Sequence, residues 1–565
     1  MTKKVPAKKV PAKKVPAKKV PAKKVLAKKV PAKKVLAKKV LAKKVLAKKV
    51  PATDYSATQQ LTPGAISSYL FGIDPDRDEQ APQICAETLL TLSANNYSPC
   101  PVAEFRSPKR QRFALRSLAT GTNFLGGRTK GHAGDDKMTP HELGALLAGG
   151  RDIRGSVQMD LAQRMLQGLI DPETQERRQS GVWLLRPFHE SLLWYDARKE
   201  SPNRPDYSVR KVHMRGSGIT LARLLVDPVD PHAAELGRAA VGAIKEALLS
   251  PSPMAEISNL LESAVLDQPY NKPPPPQDDE RESWVRGESP ELLELSQQLC
   301  RHAEGVMLQG GASPAARLWQ LRSILSLDLA MHIVRTAWSA TNTPEEERYL
   351  LLAFGGAPRA LDPVRQRSEE SYRRIRIRLG ESIVRTLARR MAQLAGETKN
   401  WSEQFQKGHK LGNMKDENSA AKQLSLLKND ATADDYLRIA RSAVEVADYG
   451  RGAGDGFRVL AESAGLLMGT GAYRFFTAST DLLAALVGAL SADMPMSSRE
   501  FFDAIRREWG FVVHQPATAG TLLMTQVDGP LLQRNARSAE RTLQAAGLAL
   551  SLSDRTTVVG ERAER

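Results

Sequence analysis

The sequence predicts a mainly α-helical, multidomain protein with a basic N-terminal tail. Three observations support this class. Apolar residues recur at helical spacing over most of the chain, only one segment alternates as a strand would, and a charged repeat fills the first 52 residues. The chain has 565 residues, 41% of them hydrophobic. That composition supplies real cores, and the length exceeds one ordinary domain.

We expect five parts in chain order. They are a disordered lysine-rich repeat tail at 1–52, a mainly helical region with a basic loop at 53–180, an α+β segment with a proline-rich linker at 181–285, a helical domain with an arginine ridge at 286–430, and a helical domain ending in a winged-helix-like unit at 431–565.

The tail is a five-residue repeat. From Lys3 to Ala52 the motif Lys-Lys-Val-(Pro or Leu)-Ala occurs ten times, with proline at six of the variable positions. A period of five fits neither a helix nor a strand, and proline removes backbone donors. Of the 82 lysines and arginines, twenty lie here without an acid, which leaves 62 against 63 acidic residues elsewhere. We therefore predict an extended polyelectrolyte attached to an electrically neutral body.

Twenty lysines suit a phosphate backbone. Duplex DNA presents about one negative charge per 1.7 Å, so the tail matches about 34 Å of duplex. Lysine lacks the planar fork that reads base edges, so we expect binding of DNA or RNA without sequence preference. The alternatives are another polyanion, such as an acidic membrane face, and a solubilising appendage without function. The candidate lysines are Lys3, Lys4, Lys8, Lys9, Lys13, Lys14, Lys18, Lys19, Lys23 and Lys24.

The tail resembles the Lys/Ala/Pro-rich tails of bacterial histone-like and linker-histone-like proteins. The resemblance covers about 50 of the 565 residues and lies in composition. It implies a nucleic-acid partner and a bacterial, cytoplasmic protein, with a nucleoid association as one form of that location.

Residues 53–285 mix helical and strand-like signals. Thr139-Pro140-His141-Glu142 is a capping box before a short helix, and a second helix is predicted from about Ser156 to Leu169. Strands are expected at Val182–Leu185, at Tyr207–Met214 and, after a glycine turn, at Ile219–Val226. Helices are predicted at Pro231–Leu249 and Met254–Leu266. Beside the strands, His189 and Glu190 are either a catalytic pair or, as we favour, packed core residues.

Residues 286–430 are predicted to be helical, with one helix starting at Ser313-Pro314 and reaching about Ala340. A second helix, from about Val364 to Ala395, carries arginines at 7-4-7-4 spacing on one face. Such a ridge suits a phosphate backbone or an acidic partner, or it is a solvated face neutralised by nearby glutamates. The ridge residues are Arg367, Arg374, Arg378, Arg385 and Arg389.

Residues 431–565 are predicted as apolar helices interrupted by glycine-rich connections at Gly450–Gly456 and Gly469–Gly471. Near the end the pattern reads as a helix capped at Ser497, a strand at Phe511–Val513, a helix from about Pro530 to Ala546, and strands within Leu548–Val559. This order predicts a winged-helix-like unit that binds either DNA or protein. Its second helix places three arginines on one face, with Asn535 beside them: Arg534, Arg537 and Arg541.

The last 70 residues are also similar to the winged-helix ends of helical subunits in bacterial multigene anti-phage systems. That similarity implies a subunit of a multi-protein defence assembly, with protein partners as well as DNA.

No complete catalytic motif is present. The chain lacks HExxH, GxSxG and a full P-loop, and its three cysteines include no CxxC pair. No apolar run reaches the roughly 18 residues of a membrane span. We therefore expect a non-enzymatic DNA-associated protein with no cofactor and no metal. The alternatives are a nuclease with its site within 181–230 and a scaffold that binds an acidic protein.

Overall fold

A computed structural model describes just over half of the chain. Apart from a few single positions and short gaps, the described ranges are 63–73, 79–98, 186–193, 197–199, 207–209, 216–250, 290–397, 419–427 and 431–560. The lysine tail, the basic loop at 106–130 and the predicted elements at 139–148, 156–169, 182–185 and 254–266 lie outside them.

The described residues are mainly helical, which confirms the predicted helical character. The helices are α1 Pro63–Phe71, α2 Ala81–Ala94, α3 Ser217–Val226, α4 Pro231–Leu249, α5 Pro290–Leu308, α6 Pro314–Ala340, α7 Pro363–Glu397, α8 Ala420–Ser425, α9 Ala433–Ala447, α10 Tyr449–Ser463, α11 Thr480–Leu490, α12 Ser498–Trp509, α13 Leu523–Gln526 and α14 Gly529–Ala545. The strands are β1 Ala197–Lys199, β2 Tyr207–Val209, β3 Leu350–Leu351, β4 Leu467–Met468, β5 Phe475–Phe476, β6 Met496–Ser497, β7 Phe511–Val512, β8 Ala549–Ser553 and β9 Thr556–Val559.

Helix α6 is the centre of the body. Ser313 caps its first turn by accepting a hydrogen bond from the Ala316 amide at 3.2 Å, and Pro314 is its first residue. From Leu318 to Ala340 it is buried on almost every side, as expected of a helix that is apolar all round. It packs against α2, α5, α7, α10 and α11. The predicted bounds of this helix are therefore confirmed.

The larger of two hydrophobic cores runs through the described residues from Ile66 to Val559, and a smaller one lies around Leu351, Val512 and Leu532. Helix α7 packs against α9 and α10, so its apolar stripe crosses the predicted boundary at 430. Ser56–Arg565 accordingly clusters as one compact unit. The division of this body into separate domains stays a prediction.

Helix α3 corrects one strand prediction. Ile219–Val226 was expected to be a strand, but Ser217–Val226 is a helix. A short apolar run cannot be assigned to strand or helix from periodicity alone, and here α2 decides. The buried Glu87 carboxylate of α2 accepts from the Gly216 amide at 3.1 Å and the Gly218 amide at 2.8 Å. A distant side chain therefore provides the N-terminal cap of α3.

Helix α10 corrects a second prediction. Gly450–Gly456 was expected to connect two helices, yet it lies within Tyr449–Ser463. Each glycine weakens a helix by about 1 kcal/mol relative to alanine, so the local preference is unfavourable. Burial of Ala453 and Phe457 against the core outweighs it. Gly469 and Gly471 do form a turn, at φ values of 94° and 58°, as predicted.

The described strands pair into small sheets. Strands β1 and β2 pair antiparallel, as do β4 and β5, whereas β3 and β7 pair in parallel. The last sheet has the order β6–β9–β8 and is antiparallel throughout. Strand β7 was expected to belong to that terminal unit. It pairs with β3 instead, because Phe511 and Val512 are fully buried and need a partner within the body.

The terminal helices begin and end where the sequence indicates. A capping box starts α12: the Ser497 hydroxyl accepts from the Glu500 amide at 3.2 Å, and the Glu500 carboxylate accepts from the Ser497 amide at 2.8 Å. Gly510, at φ 76°, ends the helix in the left-handed conformation that glycine favours. Among the described residues, no helix combines the length and apolar character that a membrane span requires.

Candidate nucleic-acid interface

Helix α14 has one buried and one exposed face. Leu532, Ala539 and Leu543 are buried at helical spacing and bind the helix to the core. After the last turn Gly547 takes φ 70°, and the Leu548 amide donates to the Leu543 carbonyl at 2.9 Å, which leads the chain into β8.

The opposite face carries the predicted arginines. Arg534, Arg537 and Arg541 are all exposed and follow i, i+3, i+7 spacing. None of their side chains makes a hydrogen bond or an ion pair with any residue that the structure describes. At 1.5 Å per residue they span about 10 Å along the helix. The three charges therefore form a compact, uncompensated basic face, which we call the α14 face.

The terminal sheet fixes the orientation of α14. The Ser498 hydroxyl donates to Glu540 Oε1 at 2.5 Å and joins the helix to the start of α12. The Gln544 side-chain amide donates to Thr557 Oγ1 on β9 at 3.4 Å. Helix α14, which carries the α14 face, is therefore fixed by hydrogen bonds to both α12 and β9.

Asn535 does not belong to this face. It was expected to accompany the arginines, but it is 4% exposed. Its side-chain amide donates to the carbonyls of Leu352 and Val513 at 2.8 and 2.9 Å, and its Oδ1 accepts from the Phe354 amide at 2.8 Å. Asn535 therefore secures the ends of the parallel pair β3–β7, and α14 meets solvent only through the other side.

The arginine ridge on α7 is largely engaged within the protein. Arg385 and Arg389 donate to the carbonyls of Thr341 and Ala340, at 3.2 and 3.0 Å. These carbonyls end α6, where a cation is favoured by unpaired oxygens and the helix dipole. Arg385 and Arg389 therefore stabilise the C-terminal end of α6.

The other ridge arginines are mostly paired with acids. Arg367 lies 2.6 Å from Glu370, and Arg378 lies 3.3 Å from Glu347. Arg374 is half-buried and makes no ion pair with a described residue. The structure brings all five onto one side of α7, but four of them contact an acid or a carbonyl of the protein, whereas none of the three arginines of the α14 face contacts such a group among the described residues. Their binding to nucleic acid stays a prediction.

A second arginine cluster, which the sequence did not suggest as a site, surrounds Glu369. This carboxylate is fully buried and accepts from Arg359 Nε at 2.8 Å, with Arg365 Nε at 3.6 Å. Arg359 lies over the ring of Tyr473 and Arg365 over that of Phe475. The Arg365–Glu369 spacing is readable in the sequence, whereas the ring partners come from a distant hairpin. The cluster neutralises a buried charge.

A fully buried histidine, His302, lies on α5. Its Nδ1 lies 3.0 Å from Asp328 on α6, and its Nε2 lies 3.4 Å from Glu508. The Trp509 indole donates to Asp328 at 2.8 Å, and its ring lies 4.3 Å from the imidazole between centroids, tilted by 32°. Burial lowers the pKa of His302, but the charges and hydrogen bonds of Asp328 and Glu508 outweigh it, so the pKa is raised. Because His302 and Asp328 are wholly shielded from solvent, this network supports the fold.

Two other chemical candidates are buried. His189 is 7% exposed, and the neighbouring Glu190 accepts from the Tyr97 hydroxyl at 2.9 Å. Burial raises the pKa of the Cys300 thiol to about 12, which keeps it protonated at neutral pH. Within the described part of the chain, no three His, Cys, Asp or Glu side chains come together as metal ligands would.

Comparisons with protein-family models, with curated proteins and with solved structures gave no match.

Proposed function

We propose that this protein binds DNA through two basic elements, the lysine tail and the α14 face. The observation that supports this most strongly is the contrast in charge pairing. Most arginines on α7 contact an acid or a carbonyl, while all three on α14 point outward without one. Unpaired guanidinium groups on a rigid helix are poised to bind phosphates, and their planar forks can also bind guanine edges in the major groove.

The terminal unit is proposed to be a winged helix. Its elements are α11, β6, α12, α14, β8 and β9, with β7 and α13 between α12 and α14 in the chain. The first strand lies beside the last in the sheet order β6–β9–β8. In this arrangement α14 is the helix that enters the major groove, and the β8–β9 hairpin is the wing. The buried stripe of α14 faces the core, as a groove-entering helix requires.

The two elements have separate tasks in this proposal. The tail supplies sequence-independent attraction to phosphates, because its lysines offer charge without a base-reading fork. The α14 face supplies a fixed contact that orients the body on the duplex. A body that is electrically neutral overall needs such a local concentration of charge to bind DNA at all.

The test is DNA affinity in a pair of matched triple variants. R534A/R537A/R541A removes the α14 face, and R373A/R438A/R441A removes three arginines that are 52%, 62% and 59% exposed elsewhere. Both are made in the full chain and in a chain lacking residues 1–52. We expect the first triple to weaken duplex binding at least tenfold in the tail-less chain, and the second to change it little.

Three outcomes count against the proposal. Unchanged affinity after deletion of residues 1–52 contradicts the role of the tail. Equal affinity of the two triple variants contradicts the role of α14 and makes it a packing or protein-binding helix. Magnesium-dependent cleavage of plasmid DNA by the purified protein replaces binding with nuclease activity.

A further inference from the structure

A surface cavity of about 520 Å³ lies where the C-terminal end of α12 meets the segment that follows α6. The residues that line it include Arg348, Tyr349, Arg506, Arg507 and the buried Trp509. The volume lies within the range of about 300–1,000 Å³ that is typical of small-molecule sites. The α14 face contributes no residue to it, so the cavity is separate from the proposed DNA contact.

The lining carries an excess of positive charge. Four arginines line the cavity against two glutamates, and one of each is paired, since Arg335 lies 3.2 Å from Glu294. Three arginines then face a single remaining glutamate. An anion is the ligand that this balance favours, and planar guanidinium groups match the oxygens of a phosphate in pairs.

Donors remain available on these arginines. Arg507 is exposed and makes no hydrogen bond or ion pair with a described residue. Arg348 uses only its Nε, which donates to the Thr343 carbonyl at 2.8 Å. Arg506 donates through Nη2 to the Ala519 carbonyl at 2.7 Å, while its buried Nε meets no acceptor in the described part of the chain. The cavity thus holds cations whose hydrogen bonds are incomplete.

Aromatic side chains give the cavity flat surfaces. The Arg506 guanidinium lies over the Tyr349 ring at 5.2 Å from its centroid. A planar cation and an aromatic ring are therefore in contact in the cavity lining. Trp509 is held in place by its hydrogen bond to Asp328 and by ring contact with His302. A lining side chain that is already fixed lowers the entropy lost on binding.

We propose that this cavity binds a nucleotide. Arg348 and Arg507 would hold the phosphate, and Tyr349 would contact the flat base. The site is independent of the DNA-binding proposal, since it uses neither the tail nor the α14 face.

The test is calorimetric titration of the full-length protein with AMP, adenosine and inorganic phosphate at physiological salt. The variants are R348A/R507A, Y349L and the control R438A/R441A, whose two arginines are equally exposed on α9. Because every variant keeps the lysine tail, any binding of AMP to the tail is the same in all of them. Thermal unfolding of each variant shows that the fold is retained.

We expect AMP to bind more tightly than inorganic phosphate, and adenosine to bind least. R348A/R507A should weaken AMP binding at least tenfold and R438A/R441A should leave it unchanged. Y349L should weaken AMP binding without changing that of phosphate. The absence of saturable AMP binding, or one isotherm shared by R348A/R507A and the wild type, overturns the proposal. Equal affinity for AMP and phosphate, or a Y349L variant that binds AMP as the wild type does, overturns the contact with the base.

Discussion

Single buried side chains join segments that are far apart in this chain. Asn535 satisfies three backbone groups, those of Leu352, Phe354 and Val513, from the inner side of α14. A buried polar group left without its partner costs about 1–3 kcal/mol. Asn535→Ala should therefore lower the free energy of unfolding by about 3 kcal/mol or more, measured by urea denaturation. Gln533→Ala, on the exposed side of the same helix, is the control and should cost little. Equal losses in the two variants contradict the assignment.

His302 makes stability depend on pH. Its folded pKa is raised above the usual value near 6.5. Stability from its charged form is therefore fully present below about pH 6.5 and is lost as the pH rises through the folded pKa. The advantage of wild type over His302→Gln should be larger at pH 6 than at pH 9 in urea unfolding.

His514 is a control, because its pKa is shifted in the opposite direction and its effect on stability should have the opposite pH dependence. Burial holds its pKa below the usual value, despite the opposing influence of Asp503. Its contribution to stability is therefore lost as the pH falls below about 6.5 towards the folded pKa. Wild type should lose stability relative to His514→Gln over that interval. Parallel pH profiles in the wild type and both variants contradict the two assignments.

The packing of α3 on α2 depends on a glycine. A Cβ at Gly218 would lie 2.6 Å from the Ile84 carbonyl oxygen and 2.7 Å from the Thr88 amide nitrogen, which are backbone atoms that cannot move alone. Gly218→Ala should lower stability by about 1–3 kcal/mol. Gly242→Ala, at an open position within α4, should instead raise it by about 0.5–1 kcal/mol. Thermal or urea unfolding of both variants gives the comparison, and a neutral Gly218→Ala refutes the close contact.

Elements were predictable where local signals determine them. Ser313-Pro314 and the Ser497–Glu500 capping box fixed helix starts correctly, because capping involves neighbours in sequence. The sequence misassigned α3, whose cap is Glu87 from another helix. It also misplaced the partner of β7, since parallel pairing with β3 joins residues about 160 positions apart. Tertiary contacts of this kind leave no local pattern.

At the candidate site, too, the features set by local spacing were predictable and those set by tertiary contacts were not. Helical spacing put Arg534, Arg537 and Arg541 on one face, and the structure places all three in solvent. The same reasoning put the α7 arginines on one face, but the sequence could not show that Arg385 and Arg389 would cap α6. Nor could it separate Asn535 from its exposed neighbours. The spacing of residues predicts on which side of a helix their side chains lie, whereas the groups that these side chains contact depend on the fold.

At the scale of the whole molecule, the residues that carry the excess positive charge are not those that form the core. One large core joins most of the described helices and a smaller cluster lies around β3 and β7, whereas the excess charge belongs to the lysine repeat and to local basic faces. Membership of a defence assembly and a nucleoid location stay predictions from the resemblances. DNA binding is the central claim, and its electrostatic part is measurable.

The salt dependence of DNA affinity tests that claim most directly. Each phosphate contact adds about −0.9 to the slope of log K against log salt, so twenty lysines bound the contribution of the tail near −18. In the full-length protein, R534A/R537A/R541A should make the slope shallower by about 2.7, three contacts' worth. R373A/R438A/R441A should leave the slope unchanged. Equal slopes for the wild type and the α14 variant would show that this helix contacts no phosphate and would contradict the account.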